Sequence, residues 1–371
     1  MTMPFIDLAA QQARIRIQLD GAIGRVLEHG SYIMGPEVAA FEEKLAAFCG
    51  VKHALGCANG TDALSLALMA LGVKAGDAVF VPSFTFAATA EVVPFLGATP
   101  VFVDVLPDTF NLDVESLKRA IRFAKDEGLT PRCVIPVDLF GLAADYDAIM
   151  PIARENGLSI IDDAAQGFGA SYHGRTIGAI GDITTTSFFP AKPLGCYGDG
   201  GALTTDNDDY AALIRSLRNH GKGADRYDQQ RIGMNSRLDT LQAAILIEKL
   251  AIFADEIEER QNVAQRYSEG LKGRYDVPTV PDGLRSTWAQ YTIKTKSAAE
   301  RAEVMSKTKA AEIPTAVYYP IPLHAQVAFR EFPRDPNGLP VSEDLAERVI
   351  SLPMHPYLGA QVQDKIIEAI H

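Results

Sequence analysis

Short apolar segments alternate with segments of helical apolar spacing between residues 53 and 206. The helical segments cover residues 62–71, 87–96, 113–124 and 145–155, and the apolar segments are HALGCA, AVFVP, PVFVDV, CVIPVDL, LSIID, ITTTSFF and GALTTD. Strands that alternate with helices predict a mostly parallel sheet with helices on both faces. Ligands of such α/β proteins bind at the carboxyl ends of the strands.

A different pattern begins after residue 235. The segment SRLDTLQAAILIEKLAIFADEIEERQNVAQRYSEGL keeps helical spacing for about ten turns, which predicts one long helix between two domains. The strand-like QYTIKT, a helix over 298–311, the strand-like TAVYYP and two further helices follow it. We therefore expect a large domain over residues 1–250 and a smaller C-terminal α+β domain over residues 251–371.

Composition narrows the class of protein. The 371 residues are 47% hydrophobic, and 47 Asp+Glu against 35 Lys+Arg give a formal net charge of -12. This balance disfavours nucleic acid and anionic membranes as main partners. We expect a cytoplasmic protein, since no apolar run reaches the roughly 18 residues of a membrane span and the first residues lack the apolar stretch of a signal peptide. The four cysteines form no CxxC pair, so neither a disulfide framework nor a metal site is expected.

Two segments that open helices offer groups for an anion. In Asn59-Gly60-Thr61-Asp62, backbone N–H groups and a hydroxyl at a helix N-terminus can bind phosphate, and ordinary capping by Thr61 or Asp62 is an equal alternative. In GMNSRLDTLQ, Asn235 or Ser236 can cap the long helix. Arg237 adds a planar fork that suits a phosphate or a carboxylate.

An acidic strand end lies in LSIIDDAAQGFGA, where Asp162 and Asp163 are followed by Gln166. A carboxylate at this place can pair with a cationic ring nitrogen or bind a metal, and capping of a helix or turn is an equal alternative. A metal would need more oxygen or nitrogen ligands than this segment offers.

A lysine stands between two prolines in TTTSFFPAKPLGCYGDGGALTT, because Lys192 has Pro190 and Pro193 on either side. Most lysines are solvated surface charges, but here the flanking residues are apolar and aromatic. They would desolvate the amine and favour the neutral nucleophile. The glycines of GCYGDGG are interpreted as turn residues, because there is no G-x-G-x-x-G between a strand and a helix.

These parts together are what a pyridoxal phosphate enzyme requires. The lysine forms an imine with the cofactor, the carboxylate keeps the pyridine nitrogen protonated, and the helix N-terminus holds the phosphate. The combination is far more specific than any one part.

The chain resembles a known family over essentially its whole length. FIDLAAQQARIR, GSYIMGPEV, CANGTDAL, PSFTFAATAE, IIDDAAQGFGA, SFFPAKPLGCYGDGGA, NSRLDTLQAAIL and YPIPLH stand in the order found in the DegT/DnrJ/EryC1/StrS sugar-nucleotide aminotransferases. The resemblance implies the α/β fold of aspartate aminotransferase (fold type I), with a mostly parallel mixed sheet, and a homodimer with shared active sites. It also implies transfer of an amino group from L-glutamate to a nucleotide-linked 3-keto sugar, UDP-2-acetamido-2-deoxy-3-oxo-glucuronate, for surface polysaccharide.

The resemblance assigns a role to each site residue. Lys192 would form the imine and then move the proton, and Asp163 would partner the pyridine nitrogen. The other cofactor contacts it implies are Gly60, Thr61 and Ser187 at the phosphate, Phe86 stacked on the ring, Gln166 beside the ring hydroxyl, and Asn235 from the other subunit. Related dehydratases have histidine in place of the lysine, so Lys192 favours transamination.

One departure concerns the sugar. Tyr318 stands where many relatives have histidine before Tyr-Pro, at a position that faces the sugar in similar enzymes. Arg237 and His324 are candidate partners for a sugar carboxylate or the diphosphate, and a structural role for His324 is an equal alternative. A dTDP-3-keto-6-deoxyhexose is the alternative substrate.

Two further functions compete with transamination. One is that of a dehydratase or another enzyme on the same scaffold, and the second is that of a non-enzymatic binding or regulatory protein. A regulatory protein would be expected to lose the lysine or the acid, and this chain keeps both Lys192 and Asp163.

Overall fold

The computed structural model describes residues 3–225 and 227–371. Its helices are α1 (Leu8–Arg14), α2 (Arg16–His29), α3 (Pro36–Cys49), α4 (Gly60–Ala70), α5 (Ala88–Phe95), α6 (Val114–Asp126), α7 (Tyr146–Glu155), α8 (Asp208–Leu217), α9 (Thr240–Leu271), α10 (Ala298–Ala310), α11 (Pro340–Arg348) and α12 (Ala360–Ile370). Its strands are β1 (His53–Cys57), β2 (Asp77–Pro82), β3 (Thr99–Val103), β4 (Thr130–Val134), β5 (Ser159–Asp163), β6 (Ser171–Tyr172), β7 (Arg175–Thr176), β8 (Ile183–Ser187), β9 (Gly201–Thr205), β10 (Leu284–Arg285), β11 (Tyr291–Lys294) and β12 (Val349–Leu352).

A seven-stranded sheet forms the centre of the larger part, in the order β1-β9-β8-β5-β4-β2-β3. Strands β3, β2, β4, β5 and β8 run parallel, and β9 runs antiparallel to both β8 and β1. The predicted mostly parallel mixed sheet is confirmed. Along β2, Val79 and Val81 pack towards α4 and α5, while Ala78 and Phe80 pack towards α6 and α7. Both faces are covered, which explains why β2 is a continuous apolar run.

The smaller sheet pairs β11 with β12 and lies near the C-terminus. The prediction that TAVYYP forms a strand is wrong, since only Ala316 bridges Ser351. Beyond Ala316 the chain turns to the large sheet, where the Tyr319 hydroxyl accepts a hydrogen bond from Gln166 and the Leu323 amide donates to the Ser83 carbonyl. These contacts with the large sheet replace the ladder that the local pattern favours.

The long helix begins later than predicted. Its N-cap residue is Asp239, which makes no side-chain cap hydrogen bond, so the prediction that Asn235 or Ser236 caps it is wrong. The reason is backbone pairing before the helix: Asn235 bridges Asn219, and the Ser236 hydroxyl accepts from the Ala58 amide. These contacts hold residues 235–239 in extended form.

Helix α9 contributes to both parts of the molecule. Its side chains from Ala243 to Ile257 pack with α3 and the sheet, and those from Val263 to Leu271 pack with β11, β12 and α12. Residue 250 falls inside this continuous helix, and the division of the chain at that residue stays a prediction. None of the helices in residues 3–225 and 227–371 has the length and apolarity needed to cross a membrane.

Candidate active site

Asp163 closes strand β5 at the carboxyl edge of the sheet and is only 5% exposed. The Thr89 hydroxyl donates to Asp163 Oδ2 at 2.8 Å, and the Ala165 amide donates to Oδ1 at 3.2 Å. Burial raises the pKa of Asp163, whereas these two hydrogen bonds and the charge of Lys192 lower it. The donors favour a negative charge that burial alone would disfavour.

Lys192 follows β8 in a tight turn, in which its amide donates to the Phe189 carbonyl at 2.8 Å. Burial lowers the pKa of Lys192, and the nearby negative charge of Asp163 acts in the opposite direction. The structure therefore brings the two residues into electrostatic contact, although 29 positions separate them in the sequence. The lysine amine is therefore desolvated, as the sequence predicts.

A cradle forms where α4 begins. A Cβ added to Gly60 would lie 2.7 Å from the Ser187 Cβ. The start of α4 and the end of β8 can therefore approach this closely only because residue 60 is a glycine. The helix is capped by Asn59, whose Oδ1 accepts from the Asp62 amide at 2.8 Å. The alternative that Thr61 or Asp62 caps this helix is therefore wrong. We call the meeting point of Gly60, Thr61 and Ser187 the cradle, and it gathers a helix N-terminus with two hydroxyls.

Gln166 is held at both ends of its amide. Its Oε1 accepts from the Phe140 amide at 2.8 Å, and its Nε2 donates to the Tyr319 hydroxyl at 3.0 Å. Phe86 stands just before α5 and is 56% exposed. A large aromatic side chain left this open is available for stacking on a planar ligand.

Asp162 belongs to a second, separate carboxyl pair. The Thr184 hydroxyl donates to its Oδ2 at 3.2 Å, and the Asp138 Oδ1 accepts from the Ala144 amide at 2.8 Å and the Tyr146 hydroxyl at 3.0 Å. Burial raises the pKa of both acids, that of Asp162 to about 7. Asp138 Oδ2 and Asp162 Oδ1 are buried without a hydrogen-bond partner. The two side chains are close enough for a proton on one acid to be shared with the other.

Among the described residues, the other four predicted site residues form no hydrogen bond with Lys192, Asp163, Gln166 or the cradle residues. Asn235 is exposed and bridges Asn219, whose side-chain oxygen also accepts from Arg237 Nη1 at 3.0 Å. Arg237 Nε is buried without a hydrogen-bond partner. The Tyr318 ring is half-buried, edge-on to Phe5 at 6.4 Å.

His324 is buried with both ring nitrogens engaged. Its Nδ1 lies 2.6 Å from the Ser83 hydroxyl, and its Nε2 lies 3.1 Å from Glu343. This is the arrangement expected of the structural alternative for His324, because no ring nitrogen is left over for a substrate. A substrate contact by His324 stays a prediction.

Sequence reasoning missed Thr89, Tyr319 and Asp138. Thr89 lies within the segment PSFTFAATAE in the first turn after a strand end, a position from which a hydroxyl can reach the neighbouring strand. Tyr319 is 153 residues from the glutamine it contacts, and no local pattern connects the two.

The described residues fit pyridoxal phosphate. The cradle, in which no Cβ fits at Gly60, suits a phosphate, the buried Asp163 suits a cationic ring nitrogen, and the desolvated Lys192 suits an aldehyde. Within residues 3–225 and 227–371, no group of three or more His, Cys, Asp or Glu side chains could hold a metal ion.

Comparison with known proteins gives the same fold and chemistry. The chain is 51% identical over 357 residues to the UDP-2-acetamido-2-deoxy-3-oxo-D-glucuronate aminotransferase of Pseudomonas aeruginosa, which covers 95% of each chain. A DegT DnrJ EryC1 StrS aminotransferase from Brucella abortus has a TM-score of 0.97 at 55% identity, over 99% of this chain and 98% of that one. DesV of S. venezuelae, solved with a ketimine intermediate, has a TM-score of 0.91 at 38% identity, over 100% and 97%.

The expected α/β aminotransferase fold is thereby confirmed, and so is pyridoxal phosphate as the cofactor. Residues 14–371 match the DegT/DnrJ/EryC1/StrS aminotransferase family. This chain belongs to the DegT/DnrJ/EryC1/StrS aminotransferase family.

Proposed function

We propose that this aminotransferase moves the amino group of L-glutamate to C3 of UDP-2-acetamido-2-deoxy-3-oxo-glucuronate, and so supplies a 3-amino sugar nucleotide for surface polysaccharide. The observation that carries the proposal is the electrostatic contact of a desolvated Lys192 with the buried Asp163. The P. aeruginosa relative, which matches nearly the whole chain, is named for this substrate. We place the reaction in the cytoplasm, where such a nucleotide sugar would be available.

Each site residue has one task in this proposal. The cradle binds the phosphate of the cofactor, Gln166 and Phe86 orient its ring, and Asp163 keeps a proton on the ring nitrogen. The cofactor, when bound, supplies an aldehyde and a ring that accepts electrons. Lys192 Nζ would hold the cofactor in the resting enzyme and, once released, would accept and return the proton that the reaction moves.

The pKa directions suit these tasks. Because burial lowers the pKa of Lys192, more of the released amine is neutral and able to accept a proton than in an exposed lysine. The hydrogen bonds that Thr89 and Ala165 donate to Asp163 favour its charged form and oppose burial, which raises its pKa. A charged carboxylate is what holds a pyridinium proton.

A second copy of the chain completes the site in this proposal. Several large apolar side chains are exposed, and those of Tyr32, Ile33, Met34, Phe86 and Phe189 are each 45% to 56% exposed. Exposed apolar groups of this size mark a surface for another protein, and Phe86 and Phe189 stand in the segments that carry Thr89 and Lys192. The exposed Asn235 would then reach the phosphate of the neighbouring subunit, as the family resemblance implies.

The test is amine transfer from glutamate to a panel of enzymatically made 3-keto nucleotide sugars. The wild type should be yellow, lose its colour with glutamate, and turn over the UDP-linked 3-keto uronate. Lys192→Ala should abolish turnover, while the exposed Lys74→Ala serves as the matched control and should behave as wild type. Steady-state transamination by Lys192→Ala would contradict the proposal, and so would a colourless wild type.

The panel also decides the alternative sugar. Tyr318 offers one neutral donor where a uronate carboxylate would favour a cation, which is the observation that keeps a dTDP-linked 3-keto-6-deoxyhexose as the second candidate. A wild type that prefers the 6-deoxy substrate would establish that alternative and exclude the uronate.

A further inference from the structure

We propose that Lys249 and Gln242 of α9 are positioning residues that hold the segment 188–200, and with it Lys192, at the orientation needed for proton transfer. The proposal rests on the proposed function of Lys192. Neither residue contacts the site directly, and both act through the backbone of the segment that carries the lysine.

Lys249 is a cation without any exposed surface. Its Nζ donates to the Gly195 carbonyl at 2.6 Å and lies 4.3 Å from the centroid of the Tyr197 ring. Burial lowers its pKa to about 8, against the opposing charge of Glu256. A buried ammonium costs free energy that an apolar side chain would not, so its contacts point to a task beyond filling space.

Gln242 lies two turns before Lys249 on the helix and forms hydrogen bonds with the same segment. Its Oε1 accepts from the Tyr197 amide at 2.8 Å, and its Nε2 donates to the Tyr197 carbonyl at 3.2 Å. Residues seven apart lie on one face of a helix, so Gln242 and Lys249 both point towards the segment that contains Gly195 and Tyr197. Together they engage three backbone groups of Gly195 and Tyr197.

A close backbone contact connects Gly195 to the turn that carries Lys192. A Cβ on Gly195 would lie 2.5 Å from the Pro190 carbonyl oxygen and 2.7 Å from that of Phe189. The Cys196 amide donates to the Phe188 carbonyl at 2.8 Å, which closes the turn at its base. A shift of Gly195 away from α9 would therefore move the turn that presents Lys192.

The test compares Lys249→Met, Gln242→Leu and Arg260→Met, with Lys249→Arg as the conservative variant. Arg260 is the matched control, because it is a buried cation of the same helix whose Nη1 donates to the Trp288 carbonyl at 2.9 Å, away from the lysine segment. Met keeps most of the volume and removes the donor, while Leu removes both polar atoms of Gln242.

Three readouts separate positioning from stability. Hydrogen exchange of residues 188–200 in the cofactor-free protein should rise by about 10-fold or more in Lys249→Met and Gln242→Leu. The pH midpoint of the bound cofactor's absorbance should shift, and kcat should fall by about 10- to 100-fold with KM changed much less. Lys249→Arg should recover part of each loss, and Arg260→Met should leave all three readouts as in wild type.

The opposite results would overturn the proposal. An exchange rate of residues 188–200 in Gln242→Leu equal to that of the wild type would overturn it. Gln242→Leu leaves Lys249 and its contacts in place, so it can be tested even if Lys249→Met does not fold. Faster exchange of the segment with an unchanged absorbance midpoint and an unchanged kcat would also overturn it, because Lys192 would then not depend on the contacts of Lys249 and Gln242. The exchange experiment needs no substrate, so a failure of the proposed function in the wild type is seen separately.

Discussion

Thr89 donates its hydroxyl hydrogen to Asp163 Oδ2 at 2.8 Å, from the first turn of α5 to the end of β5. The same hydroxyl lies 3.3 Å from that of Thr85. The bond joins two segments 74 residues apart and favours the charged carboxylate. It makes Thr89 part of the machinery that we assign to the ring nitrogen.

Thr89→Val should lower kcat by about 10- to 100-fold, because a hydrogen bond to a charged group is lost and the pKa of Asp163 rises further. Thr89→Ser keeps the hydroxyl and should retain most activity. Steady-state kinetics with saturating glutamate measures the effect, and Asp163→Asn sets the expected lower limit. Wild-type rates in Thr89→Val would show that the bond does not matter for catalysis.

Gly60→Ala should weaken binding of pyridoxal phosphate by about 10-fold or more. The new Cβ would lie 2.7 Å from the Ser187 Cβ, so the cradle must widen. Cofactor titration of the stripped protein measures the dissociation constant. Gly359→Ala is the matched control, since Gly359 also stands at a helix start and a Cβ there meets nothing within 4 Å. Equal affinity in the two variants would contradict the assignment of the cradle.

The Asp138–Asp162 pair predicts a pH dependence of stability. Unfolded, Asp162 ionises near pH 4, whereas folded it keeps its proton until about pH 7. Between these values the unfolded state binds fewer protons at Asp162 than the folded state does. The contribution of Asp162 to the free energy of unfolding therefore falls as pH rises, by up to about 1.4 kcal/mol per pH unit, and stops changing above pH 7. Urea unfolding of the cofactor-free protein from pH 6 to 8 measures it.

Asp162→Asn removes the titrating carboxyl and should flatten this slope, while it reduces kcat far less than Asp163→Asn. An unchanged slope would show that Asp162 does not hold the proton. A larger loss of activity from Asp162→Asn than from Asp163→Asn would reverse the roles of the two acids.

Asn235 should act across the subunit interface of the proposed dimer. Mixing equal amounts of Lys192→Ala and Asn235→Ala subunits should form hybrid dimers in which one of the two sites is undamaged. Random exchange would restore up to about a quarter of wild-type activity. No recovery, when subunit exchange is demonstrated by mass spectrometry, would mean that each site is built from one chain.

Arg237 is expected to bind the uronate carboxylate. Its Nη1 is held by Asn219 while its Nε is buried without a partner, so the guanidinium has unused donor capacity. Losing a buried charged partner costs on the order of 2–5 kcal/mol, so Arg237→Leu should lower kcat/KM for the 3-keto uronate by roughly thirty- to several-thousand-fold. A 3-keto-6-deoxy sugar on the same nucleotide should suffer much less. Equal losses on both would assign Arg237 to the diphosphate or the fold.

The sequence by itself determined the sheet and the sheet-covering helices, and it predicted the main groups of the candidate site. Strand and helix periods are local, so α4 to α7 and the strands between them follow from windows of about ten residues. Gly60, Asp163 and Lys192 were found because each stands at a strand or helix end within a contiguous, chemically distinct segment. The carboxyl ends of parallel strands then bring such segments to one edge.

Only the tertiary structure decided the contacts that join distant segments. Thr89 meets Asp163, Tyr319 meets Gln166, and Lys249 reaches the Gly195 carbonyl 54 residues away. Tertiary pairing also moved the start of α9 from the predicted cap residues to Asp239 and ended TAVYYP as a strand after one bridge. In each case a donor or acceptor took its partner from a segment that packing had placed beside it, and no local period encodes that choice.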